Sequence, residues 1–255
     1  MKAMPGNESV YLAKENHIHL RTVDSTNNYI KSASIMPGFW VTAEEQTSGR
    51  GRGLNKWHSI GDERVIFSGK YLFTKPIFPI HLFPLFSGSA VLFSLLEMAP
   101  ELENKLRLKW PNDIYFEDKK ISGILVESEF LGDFFTVIIG IGINIFGNNS
   151  ENLPDSGFLF HIKPSTDFQK IFIHRMIKNL NLFIRDLEMN NIDPRLQWIE
   201  EHSYLSKKKI QFRKEKEILT AEVLGITNKG FLRIQTADGL FDELMDTGPD
   251  FKVIK

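Results

Sequence analysis

Residues 134–146, FFTVIIGIGINIF, carry no charge, and a β-rich stretch that is apolar on both faces should be buried on both. The segment before it, LRLKWPNDIYFEDKKISGILVESEF, reads as two strands around a Glu117-Asp118-Lys119 turn, so these neighbours predict an antiparallel meander. Upstream, HIHLRTV (His17 to Val23) alternates like a half-buried strand. DSTNNYIKSA follows it, offering Asp24, Ser25 and Thr26 as caps for a short helix. FWVTAEE and RVIFSGKYLF are β-branched and aromatic, hence strands. Helical spacing runs from about Phe86 to Met98 and from Asp167 to Glu188, and Asp193-Pro194 opens a further helix ending near His202. The pattern predicts an α+β fold, a mixed or antiparallel central sheet with flanking helices. Beyond Ser206 the texture becomes short strands with turns at Asn228-Lys229-Gly230 and Ala237-Asp238-Gly239, a small all-β barrel. The expected units are therefore 1–205 and 206–255, with the first fifteen or so residues a loose leader.

A formal charge of −1 over 255 residues gives no whole-chain field for nucleic acid or an anionic membrane, so any attraction to phosphate must be local. With no cysteine there is no disulfide, thiolate zinc site or thiol nucleophile. The start of the chain lacks the apolar core of a signal peptide, and no run is long and apolar enough to span a bilayer, which predicts a cytoplasmic protein.

Between two of the strands lies TSGRGRGLNKW, residues 47–57, long for a hairpin. A glycine-rich backbone can turn its N–H groups toward an anion and arginine adds forked donors, so Gly49, Arg50, Gly51, Arg52 and Gly53 suit a phosphate or acyl-phosphate clamp anchored by Trp57. The alternative is a solvated loop or an RNA-binding arginine–glycine segment. G-x-x-x-x-G-K-[ST] is absent, and GIGINIFG fails G-x-G-x-x-G because Ile145 stands at a glycine position. KWPND sets Asn112 and Asp113 at a strand edge, as a site or as a simple turn. Lys120 precedes Gly123, which admits a ligand or another backbone, and GIGIN ends a buried strand with either ligand room or a bulge. The histidines show no H-x-x-x-H pattern and G-x-S-x-G is missing, which excludes zinc and serine hydrolase readings and assigns no metal ligands.

Taken in order, DSTN, EQTSGRGRG…KW, KWPND, KKISGILVE and GIGIN resemble the biotin protein ligases, or biotin–[acetyl-CoA-carboxylase] ligases. The likeness covers His17 to about Phe146 and, more loosely, the β-rich tail. It implies a class II synthetase-like catalytic domain with an SH3-like C-terminal domain. It also implies two reactions: biotin and MgATP give biotinyl-5′-AMP, and a lysine of a biotin carboxyl carrier protein then displaces AMP. Lys120, Arg52 and Asp113 are implied to be catalytic, with Asp113 orienting Lys120 or the incoming lysine. Biotin is implied to meet Ser25, Thr26, Gln46, Gly49, Arg50, Arg52, Lys120, Gly123 and Leu125, and ATP to meet Arg50, Arg52, Trp57, Asn112, Lys120 and Asn144. The loop should be mobile when empty and ordered over the adenylate.

The chain departs from the family pattern at Leu54, where many members carry the third loop glycine. No winged helix precedes His17, so sequence-specific DNA binding is not expected. Some relatives dimerise edge to edge, and the strand around Val137 to Ile145 is the expected edge for a homodimer. Two other functions stay open: a lipoate–protein ligase, and a nucleic-acid-binding protein using the arginine–glycine loop and SKKKIQFRKEK.

Overall fold

The computed structural model describes residues 8–32, 34–58, 63–74, 79–147, 153–165, 167–248 and 250–254. Strand β1 (His17–Val23) leads into helix α1 (Thr26–Lys31) and strand β2 (Trp40–Gln46), and β3 (Glu63–Thr74) follows the arginine–glycine loop. The meander is β4 (Leu106–Lys109), β5 (Asp113–Phe116), β6 (Lys119–Leu131) and β7 (Phe134–Phe146). The sheet order is β1-β2-β3-β7-β6-β5-β4; β1 and β2 pair in parallel and every other neighbour is antiparallel.

β7 therefore sits in the middle of the sheet between β3 and β6, and it cannot be the dimer edge expected of Val137 to Ile145. The reason is in its own residues: alternate side chains from Phe135 to Ile145 enter the main core, while Ile138 on the other face packs with Ile30 and Val41 under α1. Only a central strand hides both faces and both edges. At the far side, β4 is partly covered by the chain around Ser203, because Leu108 donates to His202 O at 2.9 Å and Tyr204 donates to Leu108 O at 2.9 Å. β1 is thus the outer strand on the opposite flank.

Helix α2 (Leu82–Met98) and helix α3 (Phe168–Glu188) cover the core face. α2 begins earlier than its spacing suggests, because Pro84 falls in the first turn, where no amide donor is needed. α3 buries the stripe Phe172, Met176, Leu180, Phe183 and Leu187 against it. Each such side chain contributes about 1.5–3 kcal/mol by leaving water. What reads as a single strand before the Glu117 turn is two, since the chain reverses through Trp110, Pro111 and Asn112, with the Trp110–Pro111 peptide cis. Residues 8–16 are not a loose leader either. Val10 and Leu72 exchange backbone bonds at 2.7 and 3.1 Å and Leu12 is buried, because an apolar residue there completes the core; residues 1–7 of that expected leader lie outside the described residues.

Helix α4 (Asp193–Glu201) carries the chain to a second sheet of β8 (Lys209–Lys214), β9 (Glu217–Ile226), β10 (Leu232–Thr236), β11 (Phe241–Leu244) and β12 (Lys252–Ile254), ordered β11-β10-β9-β8-β12. This antiparallel unit fits the SH3-like expectation. Its Ile210, Val223, Leu232 and Ile234 belong to the same buried cluster as the central sheet. Trp110 Nε1 donates to Gly230 O at 2.9 Å, and Glu200 Oε1 accepts from Ile226 N at 2.9 Å, so the two sheets are joined by polar as well as apolar contacts.

Candidate active site

The face of the central sheet away from α2 and α3 carries α1 over part of β3 and β7 and, beside it, a stretch where glycines leave the main chain uncovered by side chains of their own. Asp113, Gly123, Gly142 and Ile66 are register partners across β5, β6, β7 and β3, and Leu125, Gly140 and Ser68 form the next row. Above this floor lies a cavity of about 500 Å³. Ser25, Thr26, Gln46, Arg50, Arg52, Trp57, Asn112, Asp113, Lys120, Gly123 and Leu125 all line it, so motifs far apart in the chain meet at one place. Two expected residues stand outside. Gly49 borders the adjoining groove, where its carbonyl accepts from Trp57 N at 3.0 Å. Asn144 is one step further along the Gly140 and Gly142 face of β7, buried, and is not among the lining residues; its carbonyl accepts from Leu159 N at 3.1 Å.

One wall is the start of α1. Thr26 N and Oγ1 donate to Gln46 Oε1 at 2.8 and 3.1 Å, and Ser68 Oγ lies 2.8 Å from Thr26 Oγ1 and 2.6 Å from Asn27 Oδ1. Asn27 Nδ2 donates to Glu127 Oε2 at 2.8 Å, and the same oxygen meets Arg50 Nη2 at 2.5 Å. A chain of polar contacts thus runs from the helix to the cationic loop. The DSTN motif contains Asn27, so its place here had a signal in the sequence.

The loop itself is a small hairpin. Arg50 bridges Lys56, Gly51 N donates to Asn55 O at 2.8 Å, and Asn55 N to Arg52 O at 3.1 Å. Gly53 takes the left-handed turn at φ 60°, which a side chain would strain, and Leu54 next to it is fully exposed. Trp57 closes the hairpin and lies flat against the floor. A Cβ on Gly142 would come within 2.3 Å of its indole, and one on Gly123 within 3.2 Å.

Lys120 and Arg52 both line this space. Lys120 Nζ is 2.6 Å from Asp113 Oδ1, a close charge contact outside hydrogen-bonding direction, and 5.8 Å from the Trp57 ring centre. Arg52 pairs with Asp246 of the second sheet's last loop and reaches Asn112 Oδ1 at 3.4 Å, while Asn112 Nδ2 is held by Ile124 O at 2.7 Å. Thr247 and Asp155 also line the cavity. Nothing in the sequence marks Asp246, Thr247 or Asp155, since each arrives from a distant turn. Behind Lys120, Lys109 donates to Tyr115 Oη at 3.0 Å; burial lowers the lysine pKa and raises that of the phenol, while Asp113 and Asp155 act to raise both. Among the described residues no three acidic or histidine side chains gather as metal ligands.

The cavity can hold an anion against several cations, over a floor that offers main chain and an indole to an apolar body. The comparisons agree with that chemistry. Residues 19–144 match the family model for the biotin/lipoate A/B protein ligase family. The bifunctional ligase/repressor BirA of Bacillus subtilis is 30% identical over 236 residues, which are 88% of this chain and 70% of that protein. The biotin–[acetyl-CoA-carboxylase] ligase of Mycobacterium tuberculosis is 28% identical over 65% of this chain and 60% of its own length. The structure of the Aquifex aeolicus biotin protein ligase with biotin and ATP superposes with a TM-score of 0.76 at 27% identity, covering 94% of this chain and 99% of that one. The chain belongs to the biotin/lipoate A/B protein ligase family.

Proposed function

We propose that this chain is an ATP-dependent biotin protein ligase, which activates biotin as biotinyl-5′-AMP and passes it to a lysine. The observation that carries this reading is the meeting of Arg50, Arg52 and Lys120 around one cavity floored by Gly123, Gly140 and Gly142. Attack of a carboxylate on the α-phosphorus brings two anions together, so the reaction needs fixed cations and alignment. Lys120 neutralises charge between carboxylate and phosphate, and Asp113, already 2.6 Å from its ammonium, orients it. Arg50 and Arg52 grip the phosphate and acyl oxygens from the loop, and Trp57 shields the adenylate from water. Ser25, Thr26 and Gln46 take the ureido ring with main-chain help from Gly49, Gly123 and Leu125, and Asn112 and Asn144 serve the nucleotide. Asn144 acts from just beyond the cavity, one step along the β7 face that carries Gly140 and Gly142. Mg²⁺ would be held by the phosphates of ATP and would offset their charge, since among the described residues no three acidic or histidine side chains gather to bind it.

The acceptor we propose is a biotin carboxyl carrier domain, and the location we propose is the cytoplasm, where ATP is at hand; among the described residues no helix is long and apolar enough to cross a membrane. Any homodimer through the central sheet would pair along β1, the outer strand, and sedimentation velocity with and without biotin and ATP tests this. Nucleic-acid binding is disfavoured because both loop arginines and two basic groups of the second segment already face carboxylates: Arg50 with Glu127, Arg52 with Asp246, Arg213 with Asp250 and Lys214 with Asp242. The deciding experiment is exchange of labelled pyrophosphate into ATP by the purified protein. Exchange that requires biotin supports the reading; exchange driven by lipoate instead, or none, overturns it.

A further inference from the structure

Transfer from the adenylate poses an electrostatic problem that the ligase reading, on which this inference rests, leaves open. The cavity is lined by Arg50, Arg52, Lys56 and Lys120, yet the acceptor lysine arrives as an ammonium with a pKa of about 10.4. Like charges at this range repel it unless an anion receives it. Three nearby carboxylates already face cations: Glu127 faces Arg50 at 2.5 Å, Asp113 faces Lys120 at 2.6 Å, and Asp246 faces Arg52.

Asp155 differs. Its carbonyl accepts the amide proton of Lys120 at 2.9 Å, and Gly157 N returns a bond to Lys120 O at 2.9 Å, so main chain fixes it beside the lysine. The residue is exposed and lines the same cavity, and among the described residues its carboxylate makes no hydrogen bond or ion pair. Its field is felt at this end of the cavity, because it acts with Asp113 on Lys109 and Tyr115.

We infer that Asp155 is a positioning residue for the second half-reaction, pairing with the acceptor ammonium and holding it at the Lys120 end of the cavity. The ammonium then loses one proton to water, and the nitrogen lone pair forms the C–N bond to the biotinyl carbonyl carbon. The C–O bond to phosphate breaks, its electron pair leaves on AMP, and the nitrogen gives up a second proton as the amide forms. Asp155 acts before these events, on capture of the acceptor.

The test compares Asp155→Asn with wild type, using an apo biotin carboxyl carrier domain and, separately, hydroxylamine, which is neutral near pH 7 and traps the adenylate without an ion pair. The expected result is a KM for the carrier raised about tenfold with kcat changed far less, and a loss with hydroxylamine several times smaller. Asp155→Glu restores most of the carrier KM, and the Asn penalty shrinks as salt screens the wild-type contact. A wild-type carrier KM in Asp155→Asn, or equal losses with both acceptors, overturns the role of Asp155 alone. Absence of biotin-dependent pyrophosphate exchange in the wild-type protein overturns the ligase reading beneath it.

Discussion

Lys120 reaches the cavity from the start of β6 with Asp113 at 2.6 Å and the Trp57 ring at 5.8 Å, so its ammonium is fixed by its protein neighbours. Removing the charge should therefore harm chemistry more than folding. In Lys120→Ala we expect biotin-dependent pyrophosphate exchange to fall by about two to three orders of magnitude with the circular dichroism unchanged. Near-normal exchange would remove this lysine from the mechanism. Gly142 supports a different expectation. Its missing side chain is the room Trp57 occupies, with atoms 2.3 Å from where a Cβ would stand. Gly142→Ala should push the indole off the floor, shift its emission to the red and weaken biotin binding at least about tenfold. Unaltered emission together with unaltered biotin affinity would show that the ring does not cover the ligand's place.

At the scale of elements, β1, β2 and α3 share a face rich in histidine. His17 stacks on Trp40 at 3.8 Å and its Nε2 lies 2.7 Å from Thr42 Oγ1. Burial lowers the pKa of His17, helped by His19 and His174; burial also lowers that of His174, helped by Lys14 and Lys170. Above the ordinary value of 6.5 both rings are neutral whether folded or not, and stability is insensitive to them. Below it the unfolded chain takes up protons that the folded chain resists, so stability must fall as pH drops. Urea midpoints should decline from about pH 6.5 to 5.5, ahead of the carboxylates, and His17→Gln should flatten that decline. A variant with the wild-type slope would assign the effect elsewhere. These elements also show what can be read from a sequence. Alternation placed β1, β-branched and aromatic composition β2 and β3, an unbroken apolar run β7, and helical spacing α2 and α3, because such patterns record which faces are buried. It does not record neighbours. The central position of β7, the parallel pairing of β1 with β2 and the reversal at Trp110 to Asn112 depend on residues far away. The site shows the same division: its motif residues were legible through the family resemblance, whereas Asp155 and Asp246 carry no local signature.

For the whole molecule, the proposed boundary near Ser206 divides the connectivity, yet one buried cluster contains side chains from both sheets. Unfolding in urea should be a single transition, followed equally by circular dichroism and by tryptophan emission. In Trp110→Phe the Gly230 carbonyl loses its donor, and the expected cost is about 1–3 kcal/mol across that whole transition. Earlier loss of one signal in the wild-type protein would mean that the sheets are stable separately. The floor at the centre of the molecule has an implication for engineering. Where Gly123, Gly140 and Gly142 present main chain, no amino-acid exchange can remove another atom, so a bulkier acid cannot be admitted by trimming there. Every change at those positions only narrows the range of guests. Asn27, Trp57 and Lys120 are the side chains that stand on these glycines, and since Lys120 is needed for the chemistry, room for an enlarged analogue has to be cut from Asn27 and Trp57, where a library aimed at altered acid preference belongs.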